Sequence, residues 1–149
     1  MSVLMCPVCR QALHLAEQSW RCEKGHHYDV AKQGYVNLHV VQHKHSKTPG
    51  DTPESVLARR EFLQVGFYQP LQQVIVELLQ QFKPDTILDI GCGEGYYTNA
   101  MQPCTKHCVG IDIAKTAVQR AAKLNANITW VVGTGAILPV QDHSIDVCT

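Results

Sequence analysis

Two sets of residues in this sequence have the types and spacing to do chemistry. The first opens the chain: Cys6-Pro7-Val8-Cys9, then a twelve-residue gap, then Cys22, with Glu23, Lys24 and Gly25 separating it from His26. A tetrahedral zinc ion takes four thiolate or imidazole donors, and two short-range pairs reduce the chain entropy lost in gathering them. Pro7 and Gly25 favour the tight turns that aim paired side chains at one ion, and Trp20 and Tyr28 are placed to pack around it and exclude water. His26 is favoured over His27 as fourth ligand, because adjacent side chains on an extended turn point in opposite directions and only one faces the metal. Isolated buried thiols are the bland alternative. Cys104 and Cys108 flank His107 and could be imagined as a second metal site, but Cys108 reads better as a small buried hydrophobe in a strand.

The second set is Asp89-Ile90-Gly91-Cys92-Gly93-Glu94-Gly95, an acidic residue at a strand end followed by Gly-x-Gly-x-Gly and a helix-compatible stretch. Glycines let the backbone turn tightly and approach a ligand closely, and a helix N-terminus offers unpaired N–H groups. A nicotinamide site reads Gly-x-Gly-x-x-Gly because a diphosphate nests against that helix. Here the third glycine comes one residue early and Glu94 stands where it would repel a phosphate. A cofactor without phosphate, the sulfonium nucleoside S-adenosylmethionine (SAM), fits better, and its positive groups are tolerated near Asp89. Asp112 follows Asp89 by 23 residues, in Val109-Gly110-Ile111-Asp112-Ile113, where a carboxylate can accept both ribose hydroxyls; a helix N-cap is the competing role.

The elements that must position these groups follow from periodicity. Val56, Leu57, Phe62, Leu63 and Val65, then Leu71, Val74, Ile75, Leu78 and Leu79, recur at three- and four-residue steps, predicting two amphipathic helices broken near Gly66 to Pro70. Strands are expected at Thr86 to Ile90, Cys108 to Ile113, Ile128 to Val132 and Ser144 to Cys148, with helices over Glu94 to Met101 and Ala114 to Leu124. Alternating strands and helices imply a parallel sheet with right-handed crossovers. The front, to about Val41, has too few Leu, Ile and Val to build a core alone and needs a staple. The polar stretch QHKHSKTPGDTP reads as a linker, so the organisation expected is a module over 1–41, a linker over 42–53 and a larger domain over 54–149.

With 45% hydrophobic and 17% charged residues, the 149-residue chain falls outside the disordered class. Net charge is zero, yet the chain up to Arg60 carries eight Lys and Arg against five Asp and Glu, and the remainder five against eight. Six of the eight histidines (His14, His26, His27, His39, His43 and His45) lie in that basic front, which a polyanion would meet as an electropositive face. Lys32, Lys44, Lys47, Arg59 and Arg60 are candidate phosphate contacts, each with a plain solvated role as alternative. No stretch reaches the roughly 20 apolar residues of a membrane span, and no signal-peptide plan opens the chain, so a soluble cytoplasmic protein is expected. Seven cysteines without an export signal argue against a disulfide framework.

Together, CPVCRQAL, the Cys22/His26 pair, YDVAKQGYVNL, the VQHKHSKTPGD linker, ARREFL, LDIGCGEGYYT, GIDIAK and GAILPVQDHSIDV resemble the ribosomal RNA large-subunit methyltransferase A family. The resemblance implies an α/β fold: a class I SAM-methyltransferase, Rossmann-like and incomplete at about four strands where the whole sheet has about seven, preceded by a small zinc-ribbon-like domain. It implies zinc on Cys6, Cys9, Cys22 and His26, with that domain recognising RNA. It also implies SAM contacts from Gly91, Gly93, Glu94, Gly95 and Asp112, and from Tyr68 in GFYQPL. The activity implied is methylation of N1 of a guanine in a hairpin of large-subunit (23S) ribosomal RNA by a homodimer. The chain reads as truncated, so the residues that would hold the base fall beyond Thr149 and no catalytic base is assigned. A zinc-dependent RNA-binding module with a vestigial cofactor fold is the alternative.

Overall fold

The computed structural model describes residues 3–40 and 49–149. Three short antiparallel strands, β1 (His14–Ala16), β2 (Ser19–Arg21) and β3 (His27–Asp29), form a small sheet at the front. A fourth, β4 (Tyr35–Asn37), leaves that sheet and joins a larger one. After α1 (Pro53–Gln64) and α2 (Gln69–Phe82) come β5 (Thr86–Ile90), α3 (Tyr96–Met101), β6 (His107–Asp112), α4 (Lys115–Leu124), β7 (Thr129–Val132) and β8 (Val147–Cys148). The larger sheet has the order β4-β7-β6-β5-β8, with every pairing parallel.

A parallel sheet is buried on both faces, which is why TILDI and its neighbours read as nearly continuous apolar runs. Alternate residues sort cleanly to the two sides. Ile87, Cys108, Trp130 and Val132 face α2, α3 and α4, meeting Leu79, Met101, Val118 and Ala121. Leu88, Val109, Ile111 and Val131 face the other way, and the elements covering them come from the front of the chain: Leu4, Cys6, Leu13 and Cys22, with Leu138, Val140 and Ile145. The connection from β7 to β8 contains no helix, so the crossover that would ordinarily cover this face is replaced by the cysteine-bearing module. Backbone bonds fix it there: Met5 N–H donates to Pro139 O at 2.8 Å, and Gln141 N–H to Val3 O at 2.9 Å.

Several boundaries differ from the sequence reading for local reasons. Tyr35–Asn37 lies inside the stretch read as a front module, yet it extends the large sheet, with Tyr35, Val36 and Asn37 opposite Trp130, Val131 and Val132. A three-residue strand carries too little periodicity to be seen, and only its partner defines it. The helix expected from Glu94 begins at Tyr96, because Gly95 is left-handed at φ 82°. The strand expected over Ser144 to Cys148 shrinks to two residues: the Ser144 hydroxyl donates to Gln141 O (2.7 Å), while the Asp146 carboxylate accepts from the backbone N–H groups of Asp85 and Thr86. Of the linker expected over 42–53, residues 42–48 lie outside the described residues. Leu57, Phe62 and Val65 of the expected apolar face of α1 are exposed, and the face turned inward is Val56, Arg60 and Leu63. Among the described residues no helix is long and apolar enough to cross a membrane.

Leu13 sits in the front module, is wholly buried and faces the sheet. Leu13→Ala is expected to cost about 3 kcal/mol of global stability. The measurement is urea unfolding followed by indole fluorescence in a Trp20→Phe background, where Trp130 is the remaining reporter. A loss under about 0.5 kcal/mol, the range of neutral surface changes, would mean that the module does not hold the sheet.

Candidate functional site

The front module gathers its donors as the spacing anticipates. Gly25 N–H donates to Cys22 O and Cys22 N–H to His26 O, both at 3.0 Å, and this turn brings His26 back over Cys22. Cys6, Cys9, Cys22 and His26 place their ligand atoms within 4.8 Å of one another. Bonds of about 2.3 Å to sulfur and about 2.0 Å to nitrogen put tetrahedral neighbours about 3.8 Å apart for two sulfurs and about 3.5 Å for sulfur and nitrogen. The structure has Cys9 Sγ to Cys22 Sγ at 3.6 Å, Cys22 Sγ to His26 Nδ1 at 3.4 Å and Cys6 Sγ to His26 Nδ1 at 3.6 Å. The donor set therefore fits zinc, with Nδ1 as the imidazole donor. Burial disfavours the Cys6 thiolate, but the Tyr28 hydroxyl at 3.2 Å and the backbone at Cys9 and Val8 outweigh it, bringing its pKa down to about 6. A thiolate is the form that binds metal. His27 and His14 are exposed on the small sheet, and Trp20 packs into the cluster around the site. Among the described residues Cys104, His107 and Cys108 form no metal cluster; burial pushes the Cys108 thiol up to about 12.

The second site lies where strand order reverses. The chain steps from β5 to β6 and β7 on one side, then returns to place β8 on the other side of β5, which opens a crevice at the carboxyl ends of these strands. There the loop after β5 is pinned to the next strand: Gly91 and Cys92 N–H groups both donate to Ile111 O, at 2.8 and 3.1 Å. Gly93 N–H donates to Asp112 Oδ2, and Ala114 N–H to Asp112 Oδ1, each at 2.8 Å. Asp112 thus lines the cleft and braces the residue ahead of α4, while the helix N-cap itself is Ala114, with no side-chain cap bond. Each oxygen accepts one bond, leaving lone pairs for a ligand. A Cβ at Gly91 or Gly93 would meet nothing within 4 Å, which is the open approach a close-lying cofactor requires.

The cleft measures about 490 Å³, within the ordinary range for small-molecule sites. Gly91, Gly93, Glu94, Asp112 and Tyr68 line it, with α1 forming one wall through Val56, Arg60 and Leu63. Two expected residues stand behind it. Asp89 is buried, and its carboxylate accepts from the Thr98 hydroxyl at 2.5 Å; burial pushes its pKa up, with that hydroxyl acting the other way. Gly95 is buried under Trp130, and a Cβ there would come within 2.5 Å of the indole. Glu94 is taken by Arg60, whose Nε and Nη2 each donate to it at 2.6 Å. Sequence reasoning set Arg60 beside Lys32 and Arg59 as a phosphate contact. Lys32 and Arg59 are exposed and Arg59 is 3.7 Å from Asp51, whereas Arg60 turns inward; Lys44, Lys47, His43 and His45 lie outside the described residues. The Arg60–Glu94 pair, 34 residues apart, has no signal in local spacing.

Comparison with known proteins finds matches to both parts of the chain. The family description "RlmA, N-terminal", a zinc ribbon, matches residues 4–47, and "Methyltransferase domain" matches residues 87–149. The chain thus joins a stretch that matches the RlmA zinc ribbon to one that matches a methyltransferase domain. The chain is 34% identical to the 23S rRNA (guanine(748)-N(1))-methyltransferase of Streptomyces fradiae, over 93% of the chain and 51% of that protein. It is 33% identical to a putative 23S rRNA (guanine-N(1)-)-methyltransferase of Micromonospora griseorubida, over 97% of the chain and 56% of that protein. The protein YxjB of Bacillus subtilis, which carries the same putative name, is 33% identical over 98% of the chain and 55% of its own length. The chain spans about half the length of these relatives. Among solved structures, the plantazolicin methyltransferase BpumL in complex with SAH superposes with a TM-score of 0.51 at 25% identity, covering 66% of this chain and 41% of that one. The class I methyltransferase fold and the zinc ribbon expected from sequence are both present.

Two measurements check the site. Elemental analysis of the purified protein should find one zinc per chain, lost in Cys22→Ala, whose melting temperature falls to that of chelator-treated protein. Gly91→Ala should cost about 1 kcal/mol, the strain of a left-handed residue in open space, and Gly95→Ala about 3 kcal/mol because the added methyl also overlaps Trp130. Equal losses in thermal unfolding would show that Trp130 does not press on Gly95.

Proposed function

We propose that this chain serves the SAM-dependent methylation of N1 of a guanine in a hairpin of 23S ribosomal RNA, with the zinc module as the RNA-recognition element. The observation that carries the reading is that one apolar cluster joins the Cys6/Cys9/Cys22/His26 centre to the sheet whose strand ends form the cleft. An RNA gripped by the module would be held in fixed relation to the cofactor, and for methyl transfer that orientation is most of what a protein supplies. The relatives named above for guanine-N1 methylation match along both parts of the chain. The cytoplasm as its setting and pairing of two copies belong to the same reading and rest on the family resemblance.

When bound, SAM supplies an electrophilic methyl group on a sulfonium. The residues that would hold it are Gly91 and Gly93, where the backbone is open to close approach, Asp112, whose free lone pairs suit the ribose hydroxyls, and Tyr68 on the cleft wall. Asp89 and Gly95 act from behind, fixing Thr98 of α3 and admitting Trp130. Guanine N1 is occupied inside a base pair, so the target base has to be unpaired or flipped to reach the cleft. A zinc-dependent RNA-binding module with a vestigial cofactor fold is less well supported, because the open approach at Gly91 and Gly93 and the cleft-lining carboxylate of Asp112 are in place.

The test is calorimetric titration of the zinc-loaded protein with SAM, beside transfer of labelled methyl to 23S rRNA and identification of the methylated base. Asp112→Ala is expected to weaken SAM binding by about tenfold to a hundredfold, the loss of hydrogen bonds to a charged acceptor. Binding of a dinucleotide in preference to SAM, or methyl transfer to small molecules with none to RNA, would overturn the reading.

A further inference from the structure

We propose that Arg60 is a positioning residue that latches helix α1 over the cofactor cleft by gripping Glu94. The inward stripe of α1 is Val56, Arg60 and Leu63, and its central member is the charged one. Arg60 meets both oxygens of Glu94 at 2.6 Å in a bidentate fork, and Arg120 Nε on α4 lies 3.5 Å from the same carboxylate. The side chains of Arg60 and Glu94 are only 23% and 16% exposed, so the pair is far less screened than a surface salt bridge. One carboxylate on the loop after β5 thereby ties together α1, α4 and the loop.

The loop is held from two directions at neighbouring residues. Gly93 is drawn toward β6 by Asp112, and Glu94 is drawn toward α1 by Arg60. Glu94 has committed both oxygens to guanidinium groups, which assigns it to the latch in place of direct cofactor contact. Apart from this pair, α1 is anchored by Val56 against Ala114 and Ala117, and by Phe62 against Phe67 and Tyr68 just beyond its C-terminal end. At its far end the chain turns through Gly66, left-handed at φ 94°, where a Cβ would find only the tip of Gln69 within 4 Å. A helix so attached has a small apolar seal, one charged latch and a permissive joint. Releasing the latch lets water solvate both charges, so opening is reversible where a large apolar seal would resist it. The closed helix completes the cleft that Asp112 also lines.

The inference rests on the reading of this cleft as a SAM site, and the experiment separates the two. Hydrogen exchange of the zinc-loaded, cofactor-free protein should show α1 amides exchanging faster in Arg60→Ala, while α2 and α4 stay as in the parent. If the closed fraction falls to about a tenth, the dissociation constant for SAM rises about tenfold, and Arg60→Lys, which lacks the fork, recovers only part of it. Arg60→Ala and Glu94→Ala together should weaken binding no more than either alone, since both break one latch. In methyl transfer by the full protein, KM for SAM should rise with kcat little changed. Unchanged α1 exchange in Arg60→Ala would overturn the latch. Independent losses in the double variant, with Glu94→Ala the more severe, would overturn it in favour of direct contact between Glu94 and the cofactor. Faster α1 exchange in a protein that fails to bind SAM would keep the latch and remove the cofactor reading.

Discussion

A parallel sheet has two apolar faces, and each must be covered before the strand ends can carry a site. In this chain one face is covered in the ordinary way, by α2, α3 and α4. The other is covered by a module too poor in aliphatic residues to fold alone, held together at Cys6, Cys9, Cys22 and His26. Leu4, Leu13, Cys6 and Cys22 belong to the same cluster as Leu88, Val109, Ile111 and Val131. The metal-binding residues are therefore a structural part of the methyltransferase fold.

That arrangement places strict demands on the opposite face. Trp130 fills the space above β6, and its Nε1 donates to Asn125 O at 2.7 Å. It fits because Gly110 and Gly95 have no side chain: a Cβ at Gly110 would approach the indole to 2.6 Å, and one at Gly95 to 2.5 Å. Gly95 thus belongs to the packing behind the cofactor loop, whereas Gly91 and Gly93 belong to its open front. Three glycines that look equivalent in a Gly-x-Gly-x-Gly string divide into two physical roles.

Charge is sorted by the same geometry. Asp89, Glu94 and Asp112 all sit at or near the loop, yet one is buried against Thr98, one is neutralised by Arg60 and Arg120, and one faces the cleft with accepting capacity left over. Three carboxylates turned together toward one cleft would repel one another. Dispersing them leaves Asp112, alone of the three, turned to the cleft with accepting capacity to spare.

The sequence by itself determined the four donors of the metal centre, the glycine loop, Asp112 at the end of the second strand of the βαβ unit, and the alternation of strands and helices. Each of these is written in residue type and short-range spacing, which survive without any partner. TILDI was legible as a strand to the residue because a buried parallel strand is apolar throughout. Only the tertiary structure decided that Tyr35–Asn37 joins the large sheet, that the front module stands in for a crossover helix, that Asp89 turns inward and that Arg60 reaches Glu94. Those outcomes depend on which distant surfaces meet, and a pairing such as Tyr35 with Trp130 leaves no periodic mark on either segment.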